Sequence, residues 1–169
     1  MKLLSPEAVL SVDPGLWKSG CAVWAEDGTL LSAWTEKHAV GDGGPVTWRA
    51  MAQAIQRKTP SVKVVVCEVM QMDSRSKGKE KALLQLSGVV GAVAVAYSEA
   101  EVLAFAPREW KGSVPKHVCH KRLQERLTDS EMGRLSDKCL THDAWDAIGI
   151  GAYYFRTLGI PRWQLKRGM

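Results

Sequence analysis

Four carboxylates stand at positions where chemistry could be done. Asp13 closes the apolar run "AVLSVD" and precedes a Pro-Gly turn, Glu68 closes "VKVVVCE", and "THDAWDAIGIGAYYF" carries Asp143 and Asp146. The last two are three residues apart, so on a helix they share one face. Singly, each has an ordinary explanation. A strand-end Asp before Pro-Gly is common turn chemistry, a strand-end Glu is commonly solvated, and D-x-x-D at a helix start is favoured by the helix dipole. Together they point further. In an open α/β sheet, functional groups collect outside the carboxyl ends of the strands, so neighbouring strands would set Asp13 beside Glu68, with the helical pair joining them. Clustered carboxylates raise one another's pKa unless a cation neutralises them. Hard oxygen ligands of this kind suit Mg²⁺, with Mn²⁺ able to substitute. Two such ions can activate water and stabilise the leaving oxygen of a phosphodiester.

The elements that must position these acids are readable in chain order. Val9 to Asp13, Gly20 to Glu26 and Thr29 to Trp34 read as three strands, the last two joined through the hairpin signal Asp27-Gly28. Pro45 suits the first turn of a helix over Val46 to Lys58, with Met51, Ala52 and Ile55 on its inner face. Val62 to Glu68 is a nearly unbroken β-branched run, the mark of a central strand buried on both faces. A polar, basic loop from Met72 to Lys81 leads to an apolar helix over Ala82 to Tyr97, and Ala100 to Phe105 is a fifth strand. Pro115 opens a basic helix to about Leu127, and His142 to Arg156 forms the last helix, where the small Gly149 and Gly151 allow close packing on the sheet. Three antiparallel strands followed by alternating helices and strands predict an α/β fold with a five-stranded mixed sheet. One domain is expected over residues 1–169, long enough for a core without disulfide or metal staples.

Composition narrows the function classes. The chain is 46% hydrophobic and 24% charged, a globular balance. No apolar run has a membrane-spanning length, and the start "MKLLSPEAV" is too short in apolar residues for a signal peptide, so a cytoplasmic protein is expected. Cys21, Cys67, Cys119 and Cys139 form no C-x-x-C pair, which favours free thiols over zinc or disulfides. A net charge of +5 fits an anionic partner.

On these motifs the chain resembles the RuvC family of Holliday junction resolvases, which have the RNase H-like fold. "VDPGLWKSGCAV" is similar to the family's D-P-G-x-x-x-x-G strand-turn-strand and "VVVCE" to its second acid. "LSGVVGAVAVA" matches its Gly/Ala-rich helix, "APREWKGSV" its Pro and Lys loop, and "HDAWDAIGIG" its closing D-x-x-D-A. The resemblance implies that Asp13, Glu68, Asp143 and Asp146 bind divalent metal, with His142 assisting metal or water positioning. It implies a homodimeric crossover junction endodeoxyribonuclease that nicks two strands of a four-way DNA junction symmetrically, leaving 5′-phosphate ends. The family's active-site Lys would fall at Lys121, with Lys116 and Arg122 as rivals. One departure is Gln71, which stands where classical bacterial members carry an aromatic at the junction crossover. Met70 or Met72 could replace it, and the chain looks like a phage-type or divergent member.

The basic residues fit a DNA partner. Arg75, Lys77, Lys79 and Lys81 follow the Glu68 strand, and Lys111, Lys116, Lys121 and Arg122 would add a second wall of phosphate contacts. The Ala82 to Tyr97 helix is apolar nearly all round, which means burial on more than its sheet side. A two-fold homodimer through it would turn two sites toward one symmetric junction. Cleavage of RNA–DNA hybrids or flaps, and a non-catalytic nucleic-acid-binding protein of the same fold, are the competing readings.

Overall fold

The protein is described by a computed structural model at residues 7–37, 42–59, 61–70, 78, 80–135 and 141–164. The first three strands are β1 (Val9–Asp13), β2 (Lys18–Trp24) and β3 (Leu30–Lys37), followed by α1 (Pro45–Lys58), β4 (Val64–Glu68), α2 (Glu80–Ala96) and β5 (Glu101–Phe105). The remainder is α3 (Pro107–Trp110), α4 (Lys116–Gln124), α5 (Asp129–Arg134), α6 (His142–Thr157) and a 3₁₀ turn at Pro161–Trp163. The sheet order is β3-β2-β1-β4-β5. β1, β2 and β3 pair antiparallel, and β4 runs parallel to both β1 and β5, the expected mixed sheet. Among the described residues no helix is long and apolar enough to cross a membrane.

Alternation along the strands sorts the core into two layers. Leu10, Val12, Val65 and Cys67 face α1 and α2, while Val9, Val64 and Val66 face α6. The same parity puts Ser11, Asp13 and Glu68 on the α6 side. Ser11 uses it fully: its buried hydroxyl donates to the Ala147 carbonyl of α6 at 2.8 Å and accepts from the Trp24 indole at 2.9 Å.

Gly20 sets how closely α6 sits. A Cβ there would lie 1.8 Å from the Asp143 carbonyl oxygen, so only glycine lets the start of α6 rest directly on β2. Thr141, the residue before α6, bonds its hydroxyl to Thr35 of β3. Gly151 packs on the sheet as expected, making room for the indole of Trp24 on β2, whereas Gly149 makes room for the indole of Trp110 on α3.

Other boundaries also differ. β3 continues past Trp34 to Lys37, since its pairing with β2 reaches Lys18. α4 stops at Gln124, and the link before α6 holds α5, begun by Thr128 and Glu131 in a reciprocal cap. Helix α2 is less enclosed than its composition predicts. It turns Val89 and Val93 inward, meets Trp48 of α1 at Gly88, and leaves Leu84 72% and Val95 79% exposed. Cys21 and Cys67 are buried free thiols and Cys119 is a partly buried one, while Cys139 lies outside the described residues.

Because the clash at Gly20 is with backbone, Gly20→Ala is expected to lift the start of α6 from the sheet. Urea unfolding should show a loss of about 1–3 kcal/mol, against a gain of about 0.5–1 kcal/mol for Ala at the exposed, uncrowded Gly91 inside α2.

Candidate active site

The parallel register pairs Val12 with Cys67, and one step further stand Asp13 and Glu68, at the ends of adjacent central strands and on one face. Across β1, Asp13 pairs with Gly20, the residue against which α6 begins. Asp143 and Asp146 on the first turns of α6 therefore arrive over the same strand ends. Glu68 and Asp146 are buried, and Asp13 and Asp143 are half-buried.

The acids act on one another. Burial, reinforced by the charges of Glu68, Asp146 and Asp143 and only partly offset by Lys116, pushes the Asp13 carboxyl up to about 8. Burial also raises Glu68, with Asp146 adding to the effect. Against it work the Lys111 ammonium, 3.8 Å from Oε2, and the Trp110 indole, which donates to the same oxygen at 2.7 Å. Asp146 is held at both oxygens: Lys116 Nζ lies 2.6 Å from Oδ2 and His120 Nε2 2.7 Å from Oδ1. Burial disfavours the charged Lys116, but contact with Asp146 and the fields of Asp13 and Asp143 outweigh it and raise its pKa.

The donor set is carboxylate oxygen throughout, and its mutual repulsion is what a hard dication relieves, so the residues suit Mg²⁺ or Mn²⁺. Among the described residues no three His, Cys, Asp or Glu side chains are gathered into a ready-made ligand group, and Asp146 points its oxygens at Lys116 and His120.

The remaining expected residues divide by geometry. Lys116, not Lys121, reaches the acids. Lys121 and Arg122 are exposed on α4, away from the acids. The reason is helical phase: Lys116, His120 and Leu123 follow one i, i+4, i+7 stripe, whose last two members are buried. That spacing was the signal for His120, which sequence reasoning missed. Trp110 was missed as well, and no local pattern marks it. His142 stacks on His120 with ring centroids 5.7 Å apart, one side chain removed from Asp146. Lys111 flanks Glu68, and Lys81 is exposed on the first turn of α2 instead of in a loop. Met70 is half-buried beyond β4, and Arg75, Lys77, Lys79, Gln71 and Met72 lie outside the described residues.

The shift of Asp13 has a thermodynamic consequence. Between pH 4 and 8 the unfolded chain carries Asp13 ionised while the folded chain holds it protonated, so folding takes up a proton and stability falls as pH rises. With chelator present, Asp13→Asn is expected to be more stable than the native protein. The gap should open above about pH 4, grow to on the order of 2–4 kcal/mol, and level off above about pH 8 in denaturant titrations.

No protein-family model and no curated protein matches the chain by sequence. Solved structures do match by shape. RuvC of Thermus thermophilus, in complex with a Holliday junction substrate, aligns with a TM-score of 0.63 at 21% identity over 89% of this chain and 96% of that one. The yeast mitochondrial Holliday junction resolvase aligns at 0.62 and 14% identity, over 95% and 80%. The fowlpox virus Holliday junction resolvase aligns at 0.57 and 15%, over 89% and 99%. The chain thus has the RNase H-like fold of the Holliday junction resolvases, with Asp13 and Glu68 at the ends of its adjacent central parallel strands.

Proposed function

We propose that this protein is a metal-dependent, structure-selective endonuclease that resolves four-way DNA junctions by paired symmetric nicks leaving 5′-phosphate ends. The observation that carries the reading is the meeting of Asp13 and Glu68 at adjacent strand ends with Asp143 and Asp146 of α6, in a fold shared with junction resolvases. Asp13, Glu68, Asp143 and Asp146 would hold Mg²⁺ or Mn²⁺. When bound, the cations supply Lewis-acid activation of water and neutralise charge on the leaving oxygen.

The chain's own residues do the rest. Trp110 and Lys111 fix Glu68 from one side, and His120 and Lys116 fix Asp146 from the other. Lys116, with its ammonium already at the acids, is positioned to neutralise charge gathering on a phosphate in the transition state. His142 acts through its stack on His120. Lys81, Lys111, Lys121 and Arg122, with Arg75, Lys77 and Lys79, are assigned to the DNA backbone. These contacts read its shape more than its sequence. The apolar side chains Leu84 and Val95 on α2 support a homodimer through the Ala82 to Tyr97 helix, which turns two sites toward one junction. A cytoplasmic location belongs to the same proposal.

The test is cleavage of end-labelled four-way junction, flap, duplex and RNA–DNA hybrid in Mg²⁺, Mn²⁺ or chelator. Paired nicks confined to the junction and dependent on metal are expected, whereas cleavage mainly of the hybrid would move the protein to a ribonuclease role. Asp13→Asn, Glu68→Gln and Asp146→Asn should each abolish cutting and retain junction binding. Lys116→Ala should slow it by about 10²-fold, whereas Lys121→Ala should weaken junction binding in a salt-dependent way without slowing cleavage by the bound enzyme. Sedimentation supplies a separate check: Leu84→Glu with Val95→Glu should turn a dimer into a monomer that no longer makes paired nicks.

A further inference from the structure

A cavity of about 290 Å³ opens between α3, α4 and α6, behind the carboxylates and not among them. Its near end is formed by Trp110 and Lys111, the two residues that also touch Glu68. It runs from there between α4 and α6 to Arg122, Arg126 and Arg156. The charge around it is one-sided. Glu109 is its single acidic lining residue and is already bonded to the Ala106 amide. Among the described residues no carboxylate pairs with Arg122, Arg126 or Arg156. The walls are aromatic: Lys111 lies over the Trp110 ring at 4.7 Å, and the Arg156 guanidinium lies 5.8 Å from the centre of Tyr153. Neither Arg122 nor Arg156 is buried.

A planar ring with an attached anion matches this lining, and the volume, at the lower edge of ordinary ligand sites, suits one nucleotide better than a length of peptide. From continuity with the acids through Trp110 and Lys111, we infer that the cleft seats a single unstacked nucleotide of the DNA strand being cut, its base against Trp110 and Tyr153 and its phosphate on Arg122 and Arg156. The inference rests on the nuclease reading above and adds a subsite to it. Drawing a base out of a duplex is costly, and least so where stacking is already interrupted, as at a branch point. The cleft therefore favours branched over continuous DNA, and since stacking tolerates any base, it does so with little sequence preference.

The experiment walks a single abasic site through the strand on both sides of the junction crossover and measures binding in chelator, then cleavage in Mg²⁺. For the native protein one abasic position should weaken binding by about fivefold or more. Ala152→Phe, which fills the cleft wall, should bind the intact junction as weakly as the native protein binds that abasic one and show no further loss at that position. Arg122→Ala and Arg156→Ala replace exposed side chains and keep the fold testable if the cleft filler proves unstable. Each should reduce the slope of log affinity against log salt by about one. A flat abasic profile in an otherwise active protein would overturn the subsite, and binding of an acidic peptide there with no effect of the arginines on DNA would do the same. A sharp profile without cleavage of any substrate would instead keep the cleft and defeat the nuclease reading.

Discussion

The structure depends on how α6 is seated on the sheet. The contact is backbone to backbone at Gly20 and Asp143, and it is locked one turn further along by Ser11, whose hydroxyl bridges the Ala147 carbonyl and the Trp24 indole. A bulkier residue at Gly20 would hold the helix off, and an apolar one at Ser11 would leave the buried Trp24 indole N–H unpaired, at a cost of about 1–3 kcal/mol. With both satisfied, the helix has one depth and one rotation. Only at that rotation do Asp143 and Asp146 turn toward the ends of β1 and β4.

That seating brings together charges that oppose it. The Asp13 carboxyl, pushed up to about 8 by burial and by three neighbouring acids, marks a site where function and stability pull apart. The fold accommodates this by bracketing the acids with donors. Trp110 and Lys111 come from the segment after β5, and Lys116 and His120 come from the start of α4. Each bracket serves one carboxylate, so Glu68 and Asp146 are fixed independently, while Asp13 has no comparable partner among the described residues. Asp13 is therefore the group whose charge state responds most to what enters the site.

Much of this was legible in the chain. The β-branched run ending in Glu68 and the run ending in Asp13 read as buried strands; that they are neighbours came from the structure, and period-two alternation then decides which face the acids share. Helical spacing similarly put Asp143 and Asp146 together. Lys121 shows where reading by motif falls short. Its neighbourhood resembles a known active-site Lys, yet the stripe of Lys116, His120 and Leu123 turns Lys121 outward. Phase along the helix was the stronger constraint. Trp110 was beyond sequence reasoning for another reason: its role requires the gap opposite Gly149 and the position of Glu68 at once, and both are products of the folded arrangement.

Helix α4 shows how few residues are needed to divide one charge between two tasks. Its inward stripe delivers an ammonium and an imidazole to Asp146, while Arg122, a third of a turn away from Leu123 around the helix axis, faces the open cleft. The two faces meet at the Trp110 and Lys111 segment, which bonds Glu68 on one side and walls the cleft on the other. Anything that displaced that segment would alter the position of Glu68 directly. The carboxylates are thus rigid with respect to the sheet but not isolated from the basic face behind them, and a phosphate backbone lying along that face would meet both through a single indole.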